Sequence, residues 1–233
     1  AQGGLLKNMD VPVPAKEMTI NLKGKDALGK QELLVLNMLQ TNDWKRPMYY
    51  AITVSPDQFV KLDPYFQQTG MAYQIVPMQT QNTVKAINSE KMFDNVMNKF
   101  KWGGVDKPGI YLDENVMRMC KSYRMVLFGK LATTLIYEKK NDKALQVLDK
   151  CMEVLPPENV PLDYSGLTIG ESYYLLGEKE KGHNVLKAIG DNSLRNLNWY
   201  FRLTPKQFAS AASDVNSDLY TLQEVIKITK DKD

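Results

Sequence analysis

Residues 125–156 read MVLFGKLATTLIYEKKNDKALQVLDKCMEVLP, and the spacing of large and small side chains in this stretch decides the fold. A tetratricopeptide repeat is a helix–turn–helix of about 34 residues. Large side chains recur at its fourth, seventh, eleventh and twenty-fourth positions, small ones at its eighth, twentieth and twenty-seventh, and proline at its thirty-second. Counted from Met125, the large positions hold Phe128, Leu131, Leu135 and Leu148. The small ones hold Ala132, Ala144 and Cys151, and Pro156 closes the unit. Asn141-Asp142 supplies the turn. Two antiparallel helices approach closely only where small residues face each other, and the large residues fill the groove beside them.

A second count starting at Asp163 places Ile169, Gly170, Tyr173, Gly182, Leu186 and Ile189 at matching positions, with Gly177–Lys181 as the turn. Gly166 departs from the pattern at the fourth position, and the longer offset requires a short insertion around Pro156–Pro161. Hairpins of this kind need their open end covered. Residues 192–202 are predicted to form a further helix. Thr204-Pro205 opens a last one carrying Phe208, Ala212, Val215, Leu219, Leu222 and Ile226 as one apolar stripe. That stripe is expected to seal the stack; its other reading is a coiled-coil seam to a partner.

Working towards the N-terminus, Asp113 is a predicted N-cap for a helix over 114–139. Ser89–Lys101 carries Met92, Phe93, Val96 and Phe100 at helical spacing and is stopped by Trp102-Gly103-Gly104. The first 85 residues read differently. Residues 1–25 are irregular, with Gly3-Gly4, Pro12 and Pro14, apart from an alternating run, Met18–Leu22, that predicts a strand. A helix is expected over Lys30–Leu39 with Leu33, Leu34, Leu36 and Leu39 on its apolar face. It should stop at Trp44-Lys45-Arg46-Pro47, because the residue before proline avoids the α region. Met48–Val54 and Met71–Pro77 read as strands, joined through a short helix opened by Ser55-Pro56-Asp57 and ending near Leu62. The expected fold is therefore α+β and predominantly α. A small N-terminal α+β lobe with short strands (1–85) precedes a TPR-like helical domain of antiparallel hairpins with a C-terminal capping helix (86–233).

Composition bounds the function. Thirty basic and 27 acidic residues leave a net charge of +3, too even for a nucleic-acid partner, which is met by a concentrated basic face. Lys139-Lys140 and Lys227, Lys230 and Lys232 read as solvated helix ends. No run reaches the roughly 18 apolar residues of a membrane helix; Met125–Tyr137 is the best candidate and Lys130 breaks it. The chain opens at Ala1 without a signal-peptide pattern, which is expected of a mature or excised fragment. Cys120 and Cys151 are expected to be free thiols, since antiparallel packing would separate them by roughly 15 Å, beyond disulfide reach.

Catalytic chemistry finds little support. His183 is the only histidine, and neither cysteine is marked as its partner. No cluster has metal-ligand spacing. Gly103-Gly104 lacks the rest of a phosphate loop. Asp113-Glu114 could act as acid and base, but adjacent acids at a helix start serve the cap and the dipole. No catalytic, cofactor or metal residue is assigned. Twelve methionines and twelve tyrosines suit an adaptable core.

Two stretches go beyond this patterning: Asn42–Val54 (NDWKRPMYYAITV) and Gly109–Met119 (GIYLDENVMRM). Together with Met18–Lys25 (MTINLKGK), they resemble the C-terminal region of a bacterial membrane-protein family whose multi-spanning N-terminal part is similar to protein O-mannosyltransferases. The resemblance is clearest over residues 15–203. It implies that glycosyl transfer belongs to the membrane part. This chain would then be an accessory domain on the extracytoplasmic, periplasmic side of the bacterial inner membrane, binding an acceptor protein or a partner subunit. The expected function is accordingly that of a non-enzymatic protein-interaction domain; a freestanding periplasmic TPR-like adaptor or lipoprotein is the alternative. Trp44, Arg46, Tyr49 and Tyr50, with Asp113, Glu114 and Arg118, form the candidate interaction surface. Their other reading is structural, with Arg46 and Arg118 pairing with acids.

Overall fold

In a computed structural model describing residues 18–80 and 86–232, the chain divides into two compact units, Ala1–Asn95 and Val96–Asp233. Its fold is α+β and predominantly α: nine helices and a three-stranded antiparallel sheet among the described residues. Gly3-Gly4, Pro12 and Pro14 lie outside the described residues.

In the second unit the helix opened by Asp113 begins as α3 (Glu114–Tyr123), and the Asp113 carboxylate accepts from the Val116 N–H at 2.9 Å. It passes through a π turn, Arg124–Gly129, and continues as α4 (Lys130–Tyr137). The chain then reverses into α5 (Asn141–Val154). The reversal falls on Glu138–Lys140, with Lys139 left-handed at φ 59°, so Asn141-Asp142 opens α5 instead of forming the turn. An acid in the first turn of a helix meets the positive end of its dipole, which favours that placement. Phe128, Leu131, Ala132, Leu135, Ala144, Leu148 and Cys151 are all fully buried.

Helices α6 (Leu167–Leu175) and α7 (Lys179–Tyr200) form the next antiparallel pair, turning through Gly177 at φ 85°. Gly170 and Gly182 sit where the two backbones come closest. A Cβ on Gly170 would lie 2.7 Å from Leu186 Cδ2. Residues 192–202 do not form a helix of their own. Ser193 and Leu197 continue the buried face of Ile189 and Gly190, so α7 runs unbroken to Tyr200.

The last predicted helix is two: α8 (Pro205–Ser210) and α9 (Ala212–Lys232), separated at Ala211. That break shifts the phase of the predicted stripe. Val215 and Ile228 are buried, whereas Leu219 and Ile226 are 41% and 50% exposed. Helix α9 covers α7 with Leu222 and Val225, whose methyls approach the Gly190 backbone.

Arg124, in the π turn, is wholly buried. Its Nη1 donates to Pro161 O at 3.1 Å and Ser165 Oγ at 3.2 Å, and its Nη2 to Leu155 O at 3.2 Å and Val160 O at 2.7 Å. The guanidinium thereby ties the inserted segment after α5 to the α3–α4 helix. Four acceptors replace the carboxylate that usually accompanies a buried cation; Nε alone has no partner.

The first unit is built on a sheet of order β1-β3-β2, comprising Tyr49–Ala51, Ala72–Ile75 and Phe66–Gln68 in that order. β2 lies outside the two predicted strands. The stretch between them makes two 3-10 turns, Pro56–Gln58 and Asp63–Tyr65, where one helix to Leu62 was expected. Register places Tyr50 opposite Tyr73, and Tyr73 opposite Gln68; Phe66 faces Ile75. This side of the sheet meets Phe59, Val60, Leu62 and Tyr65 in an apolar core. Phe66 stacks on Tyr73 at 5.4 Å and meets Phe59 edge-on at 4.9 Å.

Helix α1 (Lys30–Asn42) covers the core with Val35, Leu36 and Leu39. Leu33 and Leu34, expected on that face, are 53% and 58% exposed. The inward line begins instead at Glu32, which is buried, ion-paired to Lys25 and bonded to the Gly29 N–H at 2.8 Å. Met18–Leu22 is not a strand. Its alternation is nonetheless physical: Met18, Ile20 and Leu22 pack on the core, and the Tyr65 hydroxyl donates to Thr19 O at 2.7 Å. Helix α2 (Ser89–Asp94) starts on Asn88, which caps the Lys91 N–H, and runs into a π turn, Asn95–Lys99.

Candidate interaction surface

The seven residues singled out by sequence divide between the units, and their side chains have different surroundings. In the first unit Trp44 follows Asp43 in a tight turn, both left-handed at φ 57° and 46°, closed by Lys45 N–H donating to Asn42 O at 2.9 Å. Its indole packs on the core and is half-buried. Arg46 is exposed, and the Asn42 side chain clamps its main chain, donating to Arg46 O at 2.6 Å and accepting from Arg46 N at 3.1 Å. A cleft beside this turn is lined by Met38, Thr41, Asn42, Arg46, Pro47 and Met48.

Tyr49 and Tyr50 stand on opposite sides of β1, as neighbours in a strand must. Tyr50 packs into the aromatic core, 5.2 Å from Phe66. Its buried hydroxyl has no hydrogen-bond partner, and burial pushes the phenol above its ordinary pKa. Tyr49 is 42% exposed. It begins a polar row across the sheet, Tyr49 opposite Gln74 and Gln74 opposite Gln67. Over this row stand Asn88, donating to Gln67 Oε1 at 3.2 Å, and Lys91. The Lys91 ammonium donates to the Tyr49 hydroxyl at 2.7 Å and to Gln74 Oε1 at 3.0 Å. It is half-buried and, among the described residues, pairs with no acid. The Tyr49 hydroxyl in turn donates to Gln74 Oε1 at 3.4 Å. An ammonium carries three donors, so one Lys91 proton remains for an incoming acceptor. Lys91, Gln74 and Gln67 were not singled out by sequence. The strand alternation around Tyr49 was the available signal for Gln74; α2 brings Lys91 over the sheet from a distant part of the chain.

In the second unit Asp113 is committed to its cap and Glu114 is exposed in the first turn. Arg118 is exposed and donates to Asn115 Oδ1 at 3.3 Å within its own helix. Among the described residues neither Arg46 nor Arg118 has an acid within ion-pair distance. Tyr111, beside this cap, is 87% exposed.

His183 lies exposed on α7, while Cys120 and Cys151 are free and buried. Burial pushes the Cys151 thiol up to about 12, against the opposing effect of Arg124, which leaves it a poor nucleophile. Among the described residues no group of three or more His, Cys, Asp or Glu is placed to hold a metal ion. No described helix is long and apolar enough to cross a membrane.

The sheet unit, with its Tyr49–Lys91 row, is also where the chain is similar to a known family. Residues 1–95 match the family model for TMEM260-associated domain 2. The matched segment ends on the same residue as the first compact unit. Trp44, Arg46, Tyr49 and Tyr50 thus fall within it, as do Gln67, Gln74 and Lys91. No curated protein and no solved structure matches the chain.

Proposed function

We propose that this chain is a non-catalytic accessory domain of a bacterial membrane protein resembling protein O-mannosyltransferases, binding an acceptor protein or a partner subunit on the extracytoplasmic side. The observation that carries this reading is the match to a TMEM260-associated domain over residues 1–95, coextensive with a unit that has its own core. TMEM260 is itself O-mannosyltransferase-like. The Tyr49–Gln74–Lys91 row supports a binding role, since the Lys91 ammonium keeps one donor beyond its bonds to Tyr49 and Gln74. The close glycine contact of α6 with α7 and the succession of antiparallel helix pairs support a TPR-like reading of the second unit, a type of scaffold that presents surfaces to other proteins. On this reading the glycosyl-transfer residues belong to a membrane-embedded part.

The reading frame upstream of Ala1 tests the reading first. Around ten apolar spans of about twenty residues each are expected. A short leader with no spans would replace the membrane protein by a freestanding periplasmic TPR-like adaptor or lipoprotein. The binding role is tested by isolating the full-length protein from membranes with its partners. Lys91→Glu should release a specific partner without changing the fold; unchanged partner recovery would remove this row from the interface.

A further inference from the structure

From residue 192 to residue 213 the chain carries no acidic side chain, although 27 acids are distributed over the 233 residues. The same segment carries Arg195, Arg202 and Lys206 and includes the corner where α7 ends and α8 begins. Large apolar side chains stand open there: Leu194 is 50%, Trp199 60% and Phe201 63% exposed. Trp199 meets Tyr200 edge-on at 5.2 Å, and Phe201 stacks on Phe208 at 6.0 Å. A shallow groove along the end of α7 is lined by Asp191, Leu194, Arg195, Asn198, Trp199 and Arg202. Its one acid, Asp191, is neutralised by Lys187 at 2.6 Å. Among the described residues Arg195 bonds to Asn192 and pairs with no acid, and Arg202 has no side-chain partner. The groove is therefore cationic. Asp214 and Asp218 of α9 border the corner on one side, where they raise the pKa of the Tyr200 phenol after burial does.

We propose that this corner seats on the surface of an anionic phospholipid bilayer. Tryptophan and phenylalanine flanked by arginine and lysine match the bilayer interface: the rings enter the headgroup boundary and the cations meet phosphate. Arginine also holds phosphate through paired N–H donors. The geometry favours a lipid surface over a docked helix. An amphipathic helix lays its apolar face into a hydrophobic groove, whereas the groove here is shallow and lined by Arg195 and Arg202 beside the exposed Trp199 at a helix end. Such a protein lies on the membrane without crossing it. The proposal stands on the second unit alone, so its failure leaves the accessory-domain reading, tested on the upstream frame, untouched.

The test is cosedimentation of the full chain with vesicles of phosphatidylcholine, with and without about 30% phosphatidylglycerol, at low and high salt. Brominated lipid is included to quench tryptophan at the interface. Binding is expected only with phosphatidylglycerol, weakening with salt and accompanied by quenching. The double variant Arg195→Glu/Arg202→Glu should lower partitioning by at least about tenfold. Trp199→Ala/Phe201→Ala should abolish both binding and quenching, with the helical circular dichroism signal retained. Equal behaviour towards the two vesicle types would overturn the proposal, as would binding that both variants leave intact. So would a dimer in sedimentation velocity that Trp199→Ala/Phe201→Ala dissociates, or capture of an acidic helical peptide without vesicle binding.

Discussion

A β-carbon on Gly182 would stand 3.1 Å from the carbonyl oxygen of Gly170 and 2.6 Å from Cδ2 of Tyr174. Helices α6 and α7 thus meet backbone to backbone, and neither glycine has room for a side chain. Gly182→Ala must push the helices apart or displace the Tyr174 ring, which is itself buried. Overpacking of this kind costs about 1–3 kcal/mol. Urea unfolding should show that loss as a lower midpoint; an unchanged midpoint would mean that the pair closes less tightly than described.

Gly190, eight residues further along the same helix, gives the opposite sign. The nearest atoms a β-carbon would meet there are Val225 Cγ1 at 3.8 Å and Leu222 Cδ2 at 3.9 Å, which is ordinary contact. Glycine inside a helix costs roughly 0.5–1 kcal/mol relative to alanine because the unfolded chain has more freedom to lose. Gly190→Ala should therefore raise the unfolding free energy by about that amount. A destabilised Gly190→Ala would show that α9 lies closer to α7 than the structure places it.

The contrast between these glycines marks what sequence could and could not convey. Ala132, Ala144, Gly170 and Gly182 were legible because a small residue among large ones, at fixed spacing, is a local signal of helix contact. The phase of α9 was not, since the break at Ala211 cannot be read from a stripe that continues smoothly across it. β2 escaped because Gln67 and Gln68 look like loop residues, yet both are buried. Arg124 escaped for a similar reason: three of its four partners are main-chain carbonyls, which carry no side-chain signature. At the candidate surface the sequence grouped Tyr49 with Tyr50. The two-residue period of a strand sends one outward and the other into the core.

Tyr50 makes that division measurable. Its hydroxyl is buried without a partner, and an unmet polar group in such a place costs about 1–3 kcal/mol. Tyr50→Phe keeps the ring contacts with Phe59 and Phe66 and removes that group. The variant should be as stable as the parent or more stable by about 1 kcal/mol. Thermal and urea unfolding would both report it, and a clear loss of stability would place a hidden acceptor at the hydroxyl.

Arg124 predicts a loss of the opposite kind. Arg124→Met fills a similar volume but strands the carbonyls of Leu155, Val160 and Pro161. A buried acceptor left unsatisfied costs about 1–3 kcal/mol, so several stranded together should cost at least the upper end of that range. Arg124→Lys should recover only part of it, because an ammonium cannot span acceptors arranged for a planar fork. Chemical denaturation of both variants decides the point; a near-neutral Arg124→Met would mean that the segment after α5 is held by its apolar contacts instead.

The thiol beside Arg124 adds a pH dependence whose sign is fixed. Burial raises Cys151 from its ordinary 9.0 to about 12, so above pH 9 the unfolded chain gives up a proton that the folded chain keeps. Stability from this group is complete below about pH 9 and is lost as the pH climbs towards 12, by about 1.4 kcal/mol per pH unit. Tyr173 acts in the same direction, its phenol raised by burial and by its bond to Asp149. The informative quantity is the difference between parent and Cys151→Ala in reducing buffer, in which groups common to both proteins cancel. That difference should narrow steadily from pH 9 to 10.5, because only the parent carries the thiol. A difference that stays flat would show the thiol ionising equally in both states, and Cys151 would have to be far more open to solvent than its packing allows.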